Sequence, residues 1–306
     1  MKNKSAMITI AGRPNVGKST LTNAIVGEKI TIVSHKPQTT RNRICAIVNR
    51  KDCQLVFVDT PGIHEAKSKL GEYMEKCVKS SLGGVDVIVI VLDLGKKITE
   101  RDKQFVEKYL KTKTPVFLVL NKTDLCGFDK IYPVLADLNY LTQPAEGRRA
   151  VKEIIPVSAK RGKNIDELKK LLVSYLPEGE LMYPEDEVSD KSERYMICEI
   201  LREKALMLLN DEIPHGIGVY IQDMKYDEKG VAHIMADIVV EKDSHKPIVI
   251  GDGGEKIKMI AERARHDIEK MLDATVYMEV FVKVRKDWRN DIAAMNDIGY
   301  NAKKNL

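Results

Sequence analysis

The hydrophobic residues of this 306-residue chain fall into two successive regimes. In the first, unbroken apolar runs alternate with segments that are apolar on one side only. Runs at 7–11, 44–49, 55–59, 87–93, 116–121 and 154–158 read as strands. Segments 18–26, 70–82, 100–110, 130–137 and 165–175 carry apolar residues at helical spacing and read as helices. This alternation predicts an α/β domain: a mostly parallel sheet with helices on both faces.

The pattern breaks at Leu176-Pro177-Glu178-Gly179-Glu180, and an acidic, turn-rich stretch follows from Tyr183 to Asp190. The spacing predicts a first domain over 1–176, a linker over 177–189 and a second domain over 190–306, with Asp190 capping a helix over 191–209. Two strand-like runs, 216–226 and 231–241, come next. Val219, Ile221 and Met224 alternate with one slip, which predicts a bulge. The apolar run Lys246-Pro247-Ile248-Val249-Ile250 leads into Gly251-Asp252-Gly253-Gly254. A helix over 255–272, a strand over 275–284 and a short helix starting near Trp288 complete an α+β order, α-β-β-α-β.

Chemistry enters at the end of the first strand. Gly12-Arg13-Pro14-Asn15-Val16-Gly17-Lys18-Ser19 fits the phosphate-loop pattern, and Thr20 continues into a helix. Glycines let backbone N–H groups converge on phosphate oxygens, and the helix N-terminus adds positive potential. Lys18 is placed to reach the β- and γ-phosphates, and Ser19 to ligate Mg²⁺. Three further segments follow in order, each at the C-terminal end of a strand. Asp59-Thr60-Pro61-Gly62 offers a carboxylate to the metal and a Gly62 N–H to the γ-phosphate. Asn121-Lys122-Thr123-Asp124 offers a carboxylate to the guanine N1–H and N2–H₂ edge, which adenine lacks; a buried unpaired carboxylate would reject ATP. Ser158-Ala159-Lys160 offers backbone N–H groups to the guanine O6.

This ordered set resembles the translation-factor-related GTPases. The resemblance implies a first switch at Thr39-Thr40-Arg41. Thr40 aligns best with the threonine that closes on Mg²⁺ and the γ-phosphate; Thr39 is the alternative. Many GTPases place Gln after the glycine of the second motif to orient the attacking water. Ile63 stands there, so slow intrinsic hydrolysis is expected. His64 reads as an exposed switch residue. Asn15 matches the asparagine of relatives that use K⁺ as a charge stabiliser, which implies potassium stimulation.

In the second domain, Gly251-Asp252-Gly253-Gly254 between Ile250 and Ile257, with the surrounding element order, resembles a type II KH RNA-binding module. Two glycines let the backbone approach a sugar-phosphate chain, and the following helix N-terminus adds favourable potential. A GTPase domain followed by one such module resembles the Era family of bacterial ribosome-assembly GTPases. Pro37-Gln38-Thr39-Thr40-Arg41, Tyr183-Pro184-Glu185-Asp186 and Glu212-Ile213-Pro214-His215 also look like that family's, and the likeness runs essentially end to end. It implies binding of GTP and GDP, of the 3′ end of small-subunit (16S) ribosomal RNA and of the maturing small subunit. It also implies a cytoplasmic location with peripheral association at the inner face of the membrane.

Composition sets bounds on these readings. Hydrophobic content of 43% and charged content of 31% describe a soluble globular protein. No apolar run approaches the ~20 residues of a membrane span, and no signal peptide is expected before the first strand. The five cysteines are dispersed without a Cys-x-x-Cys pair, which suits a reducing compartment and argues against disulfides and zinc. Nothing demands more than a monomer.

Charge is where the RNA reading strains. Residues 181–306 hold 19 basic and 25 acidic residues, a net of −6, so with +5 overall the first part carries +11. RNA contact must then rest on local patches. Lys256 and Lys258, with Arg263 and Arg265, surround the glycine loop; Lys283 and Arg285, with Lys286 and Arg289, cluster near the C-terminus. Asp252 stands where relatives often carry a basic residue. The alternative reading is a protein-partner or membrane-associated signalling GTPase whose C-terminal module is a docking surface.

Overall fold

The computed structural model describes residues 3–34, 36, 38–62, 66–210 and 213–302. By packing, the chain divides into two compact units. One comprises Met1–Thr31, Thr40–His64 and Cys77–Asp190; the other comprises Ile32–Thr39, Glu65–Lys76 and Lys191–Leu306.

The first unit is built on six strands: β1 Lys4–Ala11, β2 Ile44–Arg50, β3 Cys53–Asp59, β4 Val87–Asp93, β5 Val116–Asn121 and β6 Ile154–Pro156. Their order is β2-β3-β1-β4-β5-β6. All neighbours pair in parallel except β2 with β3. Every residue of β3, β4 and β5 is buried, which is why these strands read as continuous apolar runs. The helices of this unit are α1 Lys18–Val26, α3 Glu100–Leu110, α4 Phe128–Leu138 and α5 Ile165–Ser174, while α2 Lys69–Ser80 begins in the second unit and ends in the first. Leu118 and Leu120 of β5 share a core cluster with Ile88 and Ile90 of β4, Val106 and Leu110 of α3 and Leu138 of α4. Thr99 starts α3 through a capping box with Asp102. The expected elements are present, with ends displaced by up to a few residues.

The stretch read as a linker is a strap that passes the start of β1 and then runs along edge strand β2. Ser5 N–H donates to the Pro177 carbonyl at 3.3 Å and Gly179 N–H to Asn3 O at 3.0 Å. Further on, Asn49 Nδ2 donates to the carbonyls of Glu185 and Glu187 at 2.8 and 3.0 Å. Ile47 N–H donates to Val188 O at 2.9 Å, and Asp190 N–H to Cys45 O at 3.2 Å. The strap thus occupies groups that edge strand β2 would otherwise leave open to pairing. Asp190 is not a helix cap: its Oδ1 accepts from Cys45 N–H at 2.8 Å. The following helix, α6 Glu193–Leu208, is capped by Ser192, whose side chain accepts from Tyr195 N–H.

The second unit contains a three-stranded sheet in the order β7-β8-β9, formed by β7 Gly218–Tyr226, β8 Ala232–Val240 and β9 Val276–Val284. β7 and β8 are antiparallel; β8 and β9 are parallel. The expected bulge lies between Ile221 and Asp223. Between β8 and β9 lie α7 His245–Ile250 and α8 Glu255–Leu272; α9 Ile292–Asp297 comes last. The order is therefore α-β-β-α-α-β, one helix more than the sequence predicts. Six apolar-rich residues do not distinguish helix from strand by periodicity. Pro247 does not bar the helix, because in a first turn its missing N–H would have no intrahelical partner. Ile200, Ile234, Ile238, Ile260, Ile268 and Val282 form this unit's core.

Candidate functional site

Because β1, β3, β5 and β6 run parallel, the loops that follow them open on one rim of the sheet. After β1, Asn15 and Gly17 turn the chain with φ of +66° and +96°. A side chain at Gly17 would drive its Cβ into Asn121 Nδ2, so glycine is required for both reasons. Lys18, buried in the loop, donates from Nζ to the Gly12 and Arg13 carbonyls, both at 3.1 Å. Burial pulls its ammonium down to about 8, against the attraction of Asp59. Arg13 is exposed and paired with Asp102 at 3.1 Å. Gly62 lies against the loop: a Cβ there would meet Pro14 Cα at 3.0 Å.

Three side chains meet where the phosphate loop enters α1. Ser19 Oγ is 2.9 Å from Thr40 Oγ1 and donates to Asp59 Oδ2 at 3.0 Å; Thr40 Oγ1 lies 3.5 Å from the same carboxylate oxygen. Asp59 is wholly buried, and its Oδ1 has no hydrogen-bond partner among the described residues. Burial pushes this carboxyl up to about 6, opposed first by Lys18 and then by hydrogen bonds from Ser19, Thr60 and Thr40. Two hydroxyls beside an orphaned, buried carboxylate oxygen suit a hard divalent cation. Of the two threonines weighed as the switch residue, Thr40 reaches this cluster. Thr39 instead donates from Oγ1 to Lys36 O at 2.7 Å. Thr60 Oγ1 donates to Ile10 O, and Pro61 is buried. Ile63 and His64 lie outside the described residues.

The loops after β5 and β6 are pinned to the phosphate loop. Asn121 Nδ2 donates to Val16 O at 3.0 Å and its Oδ1 accepts from Ala159 N–H at 3.1 Å, so one buried amide joins three motifs. Lys122, with φ +69°, sends Nζ to Asn15 O and to Asp93 Oδ2, both at 2.7 Å. Asp124 Oδ1 accepts from Ser158 Oγ at 2.5 Å. That bond fixes the carboxylate expected to read guanine. Lys160 is exposed, and Thr20 lies within α1. The sequence reading assigned no role to Asp93, which holds Lys122 over the loop. Its place at the end of β4, on the same rim as the motifs, was the available signal.

In the second unit the glycine loop joins α7 to α8. Gly251, Gly253 and Gly254 have φ of +76°, +53° and +87°. A Cβ on Gly251 would come within 2.6 Å of Lys256 Cβ, so the loop closes onto the first turn of α8. Asp252 and Lys258 are exposed, and Lys256 is half-buried. Ile250 and Ile257 are partly buried against the core.

Lys283 and Arg285 are not brought to this loop. Val280, Val282 and Val284 of β9 pack with α7 and α8 in the core, so Lys283 lies on the other face of the sheet. Its Nζ pairs with the buried Asp237 at 2.7 Å and sits over the Tyr220 ring. Arg285 pairs with Asp297 at 2.9 Å and also covers Tyr220. Arg289 and Lys286 likewise face Glu241 and Asp243. The C-terminal cluster is a set of ion pairs rather than an open basic patch.

The first region matches the family described as "50S ribosome-binding GTPase" over residues 7–122, and the second matches the KH domain over residues 212–289. The chain is 48% identical over 301 residues to GTPase Era of Clostridium botulinum (strain Okra / Type B1), covering 98% of this chain and 99% of that one. It is 49% identical over 297 residues to GTPase Era of Clostridium novyi, covering 97% and 99%. Among solved structures, Era in complex with MgGDPNP and nucleotides 1506–1542 of 16S ribosomal RNA is 39% identical, with a TM-score of 0.89 and coverage of 97% and 99%. A point variant of Aquifex aeolicus Era bound to GDP·AlF4⁻ is 38% identical, with a TM-score of 0.90 and the same coverage.

Proposed function

Because this chain belongs to the Era family of GTPases, we propose that it uses GTP hydrolysis to time its grip on the 3′ end of 16S ribosomal RNA and so assists maturation of the small ribosomal subunit. The observation that carries the nucleotide half is the convergence of Ser19, Thr40 and Asp59 beside the buried Lys18. The RNA half rests on the glycine loop at the start of α8 and on the 16S RNA bound by a solved relative.

In this reading Lys18 and the N–H groups of the phosphate loop bind the β- and γ-phosphates. Asp124, held by Ser158, accepts from the guanine edge. Ser19, Thr40 and Asp59 hold Mg²⁺, the ion named with the nucleotide in the solved relative. Bound there, the ion would supply positive charge against the developing negative charge of the phosphates. The Gly62 N–H meets the γ-phosphate, and Ile63 leaves the attacking water without a polar side chain, so intrinsic turnover is slow. Asn15 supports K⁺ as an activator, tested by comparing single-turnover rates in Na⁺ and K⁺. The chain acts as a cytoplasmic monomer; peripheral membrane contact is proposed on family likeness alone.

Residues Ile250, Gly251, Asp252, Gly253, Gly254, Lys256, Ile257 and Lys258 form the RNA-facing set. A saturating 16S 3′-end RNA is expected to change the GTPase rate of the wild-type chain, and Gly254→Asp to abolish filter-retained RNA. No response to any 3′-end fragment would overturn the coupling. The pairing of Lys283, Arg285 and Arg289 with carboxylates favours a second reading, in which the module docks a protein. RNA retention that survives Gly254→Asp would favour that reading.

A further inference from the structure

Helix α6, the first element of the RNA-binding module, carries a buried ion pair away from the glycine loop. Arg202 Nε donates to Glu199 Oε1 at 2.8 Å and Nη2 to Oε2 at 2.5 Å. Both side chains are almost completely buried. Such a pair usually gives no net stability over apolar residues of the same size. It is also incompletely satisfied, since Arg202 Nη1 has no hydrogen-bond partner among the described residues. The remaining donor contact is more informative: Arg202 Nη2 also donates to the main-chain carbonyl of Thr39. Glu203, the next residue on α6, accepts from Val33 N–H at 2.8 Å, and Lys36 Nζ donates to the Leu209 carbonyl. These contacts explain why Ile32–Thr39 packs with the module rather than with the nucleotide unit. The next residue in the chain is Thr40, whose hydroxyl is 2.9 Å from Ser19 Oγ.

We infer that Arg202 is a positioning residue for GTP hydrolysis: held by Glu199, it fixes the Thr39 carbonyl and through that peptide places the Thr40 hydroxyl at the metal and γ-phosphate site. The inference rests on the proposed function and deepens it by naming a residue that positions the switch. A carbonyl anchored one peptide away restricts Thr40 without touching the nucleotide. GDP binding, which has no γ-phosphate for the switch to close on, does not depend on it.

The test uses the full-length chain with Glu199→Leu/Arg202→Met, which removes both buried charges together, and with Arg202→Lys, which keeps the charge but lacks the forked donors. Single-turnover GTP hydrolysis is measured across a Mg²⁺ titration, with GDP affinity and the same measurements in a Thr40→Ala background. The expected result is a hydrolysis rate lowered about tenfold or more, a higher half-saturating Mg²⁺ concentration and GDP affinity within about twofold of wild type, as for loss of a transition-state contact. In the Thr40→Ala background the α6 changes should have no further effect, the non-additivity of residues acting as one unit. Unchanged hydrolysis, additive losses with Thr40→Ala or a parallel fall in GDP affinity would each overturn the assignment. RNA enters none of these measurements, so their failure is distinct from failure to bind the 16S fragment.

Discussion

Gln54 and Tyr183 are joined by a two-way amide pairing: Gln54 Nε2 donates to the Tyr183 carbonyl at 2.9 Å, and its Oε1 accepts from the Tyr183 N–H at 3.0 Å. The same Oε1 accepts from Met182 N–H at 2.8 Å, and Nε2 also donates to Asn49 Oδ1 at 2.7 Å. The side chain is fully buried, so these bonds form without competition from water. Gln54 therefore anchors the strap. Gln54→Leu keeps the volume but leaves the strap's peptide groups unpaired. A loss of about 2–4 kcal/mol in urea unfolding is expected, with faster proteolysis confined to 177–190. Unchanged cleavage would show that the edge contacts of Asn49 and Cys45 suffice.

Asp59 gives a pH-dependent prediction for the metal- and nucleotide-free protein. Burial raises its carboxyl from 3.8 to about 6, so the fold favours the protonated acid. The ionised form is a cost above pH 6 that fades as pH falls and is absent below the unfolded value. Asp59→Asn should therefore be more stable than wild type at pH 7.5 by up to ~3 kcal/mol, with the difference shrinking between pH 6 and pH 4. Melting curves in EDTA across that range check the sign. The variant should also lose the effect of Mg²⁺ on GDP release.

Asn121 is expected to matter out of proportion to its size. Asn121→Ala removes the partner of Val16 O and of Ala159 N–H at once. At about 1–3 kcal/mol for each orphaned group, GDP affinity should fall on the order of 10²-fold, with little change in the fold's circular dichroism. Isothermal titration measures it directly.

The two basic clusters of the module should behave differently. Lys258→Ala removes an exposed charge beside the glycine loop, so 16S RNA affinity and its salt slope should fall, the slope by about one unit. Lys283→Ala should leave RNA affinity within about twofold of wild type, since its charge is committed to Asp237 on the opposite sheet face. It should lower the melting temperature instead, because the buried Asp237 loses its ion-pair partner. An RNA loss with Lys283→Ala equal to that with Lys258→Ala would return the C-terminal cluster to the interface.

The first unit was largely legible in the sequence. Strands such as Val87–Asp93 and Val116–Asn121 are buried on both faces, and continuous burial leaves an unbroken apolar signature. The nucleotide motifs were legible because each needs particular residue types at a strand end. The strap was not: Gln54 holds it through peptide groups, and any residue supplies those. Counting charges along β9 ignored the two-residue alternation that sends Lys283 away from the loop, and ignored the carboxylates waiting there. The grip of Arg202 on Thr39 was hidden for a different reason. It joins residues 163 positions apart through a main-chain carbonyl, which has no letter in the sequence.

The boundary at Asp190 is a boundary of the chain and not of the machine. With Ile32–Thr39 and Glu65–Lys76 assigned to the downstream unit, a nucleotide fragment truncated at residue 190 would keep its phosphate loop and its purine-reading carboxylate. It would lose Arg202 and with it the hold on the Thr39 carbonyl. The turnover of such a fragment would report an enzyme with slack reins rather than an uninhibited baseline.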